Sequence, residues 1–206
     1  MKVLRPVVTF CGLVLLAGPV LAQDRYATID VRAGYTLPLG DAKDTFKGQS
    51  SFGAGAAIAL ADRIHLGLTL DWAHHSVKQS DAFCTAAGEP SGCVIGGPND
   101  EQYNVFHTFV KVSFDAVNQN KFSVSFNAGP GLIFFSPNDI LKAQAVESDR
   151  HFAINAGMTI TWWFSDRIGL LASPQADIAL SRSSGHIFTN SKAMLFPLTG
   201  GFRFKI

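Results

Sequence analysis

The chain has 206 residues, 47% hydrophobic and only 16% charged, with a formal net charge of +1. That near-neutral balance excludes the basic excess of a nucleic-acid binder, and 17 Phe in a chain of low net charge exclude disorder. Low charge with 19 Gly fits a β-rich protein in an apolar setting.

Met1 to Pro6 carries Lys2 and Arg5, Val7 to Ala17 is an apolar run, and Gly18-Pro19 precedes Val20-Leu21-Ala22. This is the charged, apolar and small-residue order of a secretory signal peptide, cleaved after Ala22. Its run is too short to span a bilayer. The expected organisation is a signal over 1–22 and one domain over 23–206. Cleavage removes Lys2 and Arg5 and no acid, which takes the whole-chain +1 to −1. Export also gives the cysteines a reading. Cys84 and Cys93 lie in a stretch with Gly88, Pro90 and Gly92, and in an oxidising compartment they are expected to form a disulfide.

From Tyr26 onward the apolar residues recur with period two. Tyr26–Leu37 opens the series. The weaker Ser51–Ala61 follows, its second face made of Gly and Ala. Then come Ile64–His75, Asn104–Ala116, Phe122–Phe135, His151–Phe164, Ile168–Leu180 and Met194–Ile206. These are eight strands, mostly long enough to cross a membrane at a tilt, where soluble strands centre on about 5–6 residues. Tight turns are expected at Ala61–Ile64, Val117–Asn120 and Ser165–Ile168. Long links run from Pro38 to Gln49, Ser76 to Gln102, Ser136 to Asp149 and Ser181 to Lys192. Short turns at one end and long loops at the other match the periplasmic and outer ends of an outer-membrane barrel.

One face of nearly every strand is apolar while charge and small residues share the other. Eight strands enclose a space that side chains fill, so the polar face is expected inside and the apolar face against lipid. Aromatic girdles follow. Phe114, Phe122, Trp162, Phe164 and Phe204 lie toward the turns, and Tyr35, Trp72, Phe106, Phe134, Phe152 and Phe196 toward the loops. The expected fold is all-β, an eight-stranded antiparallel up-and-down transmembrane barrel. The inward charged set is Asp30, Arg32, Asp71, Lys111, Asp115, Asp177, Arg203 and Lys205, with His65 and His107. Buried charges are expected to pair. Counting from the turns suggests Asp71 with Lys111, His65 with Asp115, and Asp30 with Arg203.

Other chemistries have weaker support. His74, His75, His151, His186, Ser76, Ser148 and Glu147 offer the residue types of a hydrolase, but no motif ties a nucleophile to a base and an acid. His74 and His75 face opposite ways on a strand and cannot chelate one metal together. No cofactor is expected.

The segment Lys121-Phe122-Ser123-Val124-Ser125-Phe126-Asn127-Ala128-Gly129-Pro130-Gly131, the Gly34-Tyr35 pair, and the ending Gly200-Gly201-Phe202-Arg203-Phe204-Lys205-Ile206 resemble the eight-stranded outer-membrane β-barrel superfamily of the OmpA-barrel and OmpW type. That family usually closes on Phe or Trp, and this chain ends on Ile206. The resemblance implies a bacterial outer-membrane location, surrounding lipid and lipopolysaccharide, and a closing strand read by the barrel-assembly machinery. It leaves three roles open: a structural or surface-binding barrel with a filled lumen, a narrow solute channel, or a lipid-modifying enzyme. The Ser76 to Gln102 loop is the expected site for an extracellular ligand.

Overall fold

A computed structural model describes residues 26–40, 42–77, 102–143, 148–180 and 193–206. The signal segment, Cys84, Cys93, Glu147, His186 and most of the Ser76 to Gln102 loop lie outside the described residues.

Eight strands form: β1 (Ala27–Gly40), β2 (Gln49–Ala61), β3 (Ile64–Ser76), β4 (Gln102–Gln119), β5 (Phe122–Pro137), β6 (Asp149–Trp163), β7 (Ile168–Ala179) and β8 (Ala193–Lys205). Each pairs antiparallel with the next, and β1 pairs with β8, so the sheet closes into a barrel in sequence order. Closure leaves no free sheet edge, which is the condition for strands to cross a lipid phase. No helix among the described residues is long and apolar enough to cross a membrane.

The period-two reading holds in seven strands and is weak in β2, as expected, with bulges between Ala59 and Ala61 and between Asp115 and Val117. Outward apolar side chains are exposed around the full circumference, among them Phe52, Val110, Phe126, Phe152, Trp162, Leu170 and Phe202. A water-soluble monomer rarely exposes a contiguous apolar patch beyond a few hundred Å². A belt that runs over every strand therefore suits lipid. The expected girdle residues Tyr35, Phe106, Phe114, Trp162, Phe164 and Phe204 are all exposed, and Trp72 and Phe134 are half-buried. Phe52 and Trp72 stack at 6.1 Å across β2 and β3 on that outer face.

Two local expectations are corrected. Val117–Asn120 is not the second turn. A bulge between Asp115 and Val117 shifts the register, Val117, Asn118 and Gln119 pair with β5, and the chain reverses at Asn120-Lys121. The Pro38 to Gln49 and Ser136 to Asp149 links are not plain loops either. They carry short helices at Ala42–Thr45 and Asp139–Ala143, and these bury Ala42 and Leu141 in the core cluster.

Candidate functional site: the lumen

The interior has two storeys. The inner storey, toward the turns and mid-barrel, is polar, and the structure builds it from strand residues on alternating positions. Near the turns, His65 Nε2 lies 3.0 Å from Asp115 Oδ2, and the Ser125 hydroxyl donates to Asp115 Oδ1 at 2.6 Å. Arg203 donates to Asp30 Oδ2 at 3.2 Å and to Thr161 Oγ1 at 3.3 Å. Both carboxylate pairings match the sequence expectation. They arise because β3 neighbours β4, and β8 closes onto β1 in the register Asp30↔Arg203. Lys205 sits at the barrel end over the rings of Tyr26 (4.4 Å) and Trp163 (4.9 Å), a cation–π seat rather than an ion pair.

The expected Asp71–Lys111 pair is a correction. Arg32 takes Asp71 instead, with Nη2 3.0 and 3.2 Å from its two oxygens, and Arg32 Nε lies 3.1 Å from Asp30 Oδ1. Arg32 is on β1 and Asp71 on β3, so this bridge passes over β2. Gly53 and Gly55 open that path: a Cβ on Gly53 would fall 1.9 Å from Asp71 Oδ1, and one on Gly55 2.9 Å from Asp30 Oδ1. Lys111, also buried, donates instead to Gln175 Oε1 at 3.2 Å. Mid-barrel, His107 Nδ1 donates to Asp177 Oδ2 and Asn155 Nδ2 to Asp177 Oδ1, each at 2.5 Å.

Sequence reading missed Gln175 and Asn155, because neutral amides carry no charge signal. Gln175 has a second task. Pro174 has no N–H, and the β6–β7 pairing is interrupted between Gly157↔Gln175 and Ile160↔Ala172. The Met158 carbonyl there accepts from Gln175 Nε2 and from the Ser173 hydroxyl, both at 3.3 Å. We expect Gln175→Leu to destabilise the barrel by about 1–3 kcal/mol, because it strands the Lys111 ammonium and takes one of its two side-chain donors from the Met158 carbonyl. Urea unfolding of the lipid-reconstituted protein measures this, and a loss under about 0.5 kcal/mol, the range of an ordinary surface change, would reject it.

The outer storey corrects the expectation of a wholly polar lumen. Tyr103, Val105, Phe109, Ile133, Phe135 and Leu195 point inward and are fully buried. At the outer end of β5, Leu132 to Phe135 are apolar on both faces, so alternation there carries no polarity signal, and on β4 it is Tyr103, Val105 and Phe109 that face inward. Phe46, which follows the Ala42–Thr45 helix, drops into this layer with no exposure. Its ring stacks on Phe135 at 5.9 Å with 7° between planes, and it meets Tyr103 edge-on at 5.6 Å. His75 faces the same ring at 5.6 Å. The main chain beside Phe46 is tied to β3: Lys47 N–H donates to the Ser76 carbonyl at 2.9 Å, and His75 Nδ1 donates to the Lys47 carbonyl at 3.0 Å.

The hydrolase candidates among the described residues are placed as follows. His74 lies on the outer side of β3 between the side-chain amides of Gln102 and Asn104. Ser76 Oγ accepts from Gln49 at 3.2 Å, and His151 Nε2 is 3.1 Å from Asp149. No group of three or more His, Cys, Asp or Glu side chains among the described residues is arranged to hold a metal.

No family model and no curated protein matches this chain. Solved structures do. A major outer membrane protein from Thermus thermophilus is 12% identical with a TM-score of 0.54, over 89% of this chain and 100% of that one. Neisserial surface protein A is 12% identical with a TM-score of 0.52, over 89% and 98%. At such identity the likeness concerns the fold, which is that of the eight-stranded bacterial outer-membrane barrels.

Proposed function

We propose that the protein is an integral outer-membrane barrel whose role is structural or surface-binding, exercised through its outer loops, with a lumen that does not conduct. The observation that carries this is closure at two levels. The bridge Asp71–Arg32–Asp30–Arg203 spans the inner storey, and the Phe46 ring fills the outer one. In this reading the segment Met1–Ala22 directs export and is cleaved, and Cys84–Cys93 braces the long second loop. Lipid and lipopolysaccharide surround the apolar belt, and β8 presents the assembly signal. The reading assigns no catalysis. The outer-membrane location is supported by the fold and by the lipid-suited belt.

Planar-bilayer recording tests it. Purified, heat-modifiable protein is expected to insert without discrete current steps. Stable single-channel openings from the wild-type chain would overturn the filled-lumen reading in favour of a narrow solute channel.

A further inference from the structure

The outer storey holds a ring that the barrel wall does not supply. Phe46 comes from the β1–β2 connection, yet it is completely buried against wall residues. One face stacks on Phe135 and the edge of Tyr103 closes another side. A flat slot lined by aromatic rings is a binding geometry for another ring. Fully buried His75 adds a polar requirement to the same slot. Its Nδ1 faces a carbonyl, so Nδ1 carries the proton and Nε2 presents a lone pair. That Nε2 has no hydrogen-bond partner among the described residues, and a buried acceptor left without a donor is unfavourable.

The geometry points to a ligand site in the outer lumen that Phe46 occupies as a self-ligand, and whose preferred external occupant is a small neutral aromatic compound with one O–H donor, a simple phenol. The phenol ring replaces the Phe46 ring on Phe135, and its hydroxyl donates to His75 Nε2, which phenylalanine cannot do. The ligand is bound and not passed on, because the polar storey lies beneath. Displacing Phe46 also loosens the adjoining main chain, where the Lys47 N–H is tied to the Ser76 carbonyl, so occupancy has a second, independent readout.

The experiment uses the full barrel in phosphatidylcholine nanodiscs, titrated with phenol and with toluene and followed by side-chain NMR of His75 and Tyr103. Wild type is expected to saturate at one phenol site, with tryptic cleavage after Lys47 accelerating as that site fills. Toluene, lacking the donor, should bind about tenfold more weakly, the worth of one net hydrogen bond. F46A should bind phenol about tenfold or more tightly than wild type, because no resident ring has to leave. H75L should hold phenol and toluene with equal affinity. Absence of a saturable phenol site in the wild-type barrel, cleavage that stays constant as it fills, or equal affinity for both compounds in the wild type would each overturn the proposal. These three readings need no variant, so they decide the matter even where F46A fails to show the heat-modifiable folded band.

Discussion

Arg32→Met should lower the stability of the folded barrel by about 3–5 kcal/mol, the usual loss when one partner of a buried ion pair is removed. Arg32 is the hub of the inner storey. Its guanidinium meets both oxygens of Asp71 and one of Asp30. Asp30 keeps Arg203 at 3.2 Å, but Asp71 loses the one ion pair it makes among the described residues. The stranded carboxylate faces the space over Gly53, where a Cβ would fall 1.9 Å from it. Arg32→Lys should rescue little, because a point charge cannot bridge two carboxylates as a planar fork does. The double variant Arg32→Met with Asp71→Leu should recover much of the loss, since a buried pair exchanged for apolar groups of similar volume is often neutral. Reversible urea unfolding in lipid vesicles, read by the fluorescence of Trp72, Trp162 and Trp163, gives the midpoints. A single variant within about 0.5 kcal/mol of wild type, the scale of an ordinary surface change, would mean that Arg32 is not the hub.

The second large effect tests the outer face. Val110 points outward midway along β4 and is about half exposed, at 49%. In lipid, Val110→Arg should destabilise the barrel by about 2–4 kcal/mol, whereas Leu60→Arg, beside the first turn, should lose only about 0–1 kcal/mol. The contrast between the two positions is the decisive quantity. Were the same face in water, both substitutions would stay within about ±0.5 kcal/mol, as exposed changes do. Unfolding in vesicles of both variants beside wild type distinguishes a depth-dependent penalty from a uniform one.

Much of the architecture is legible in the sequence because a strand has only two faces. Once Ile29, Val31, Ala33 and Tyr35 share one side of β1, Asp30 and Arg32 must share the other. The same logic placed His65, Asp115 and Arg203 inside. It also paired those residues correctly, since each contact lies on neighbouring strands and follows from distance to the turns. The logic fails where both faces carry the same chemistry. Along Leu132 to Phe135 every residue is apolar: parity sends Phe134 outward, but nothing in the residue types reveals that Ile133 and Phe135 build an apolar layer inside. It fails again at Gln175, whose importance derives from a proline on its own strand and a lysine on β4.

Sequence alone determined the number of strands, their approximate limits, their order of polarity and the medium each face suits, because all of these are set by local alternation and by turn spacing. Only the closed barrel decided which charges meet across strands that are not neighbours. Closure turns the inward side chains of strands that are not neighbours toward one another, so Arg32 reaches Asp71 across β2 and leaves Lys111 to Gln175. The same enclosure draws Phe46 out of its connection, because the apolar outer lumen is the place where that ring leaves water.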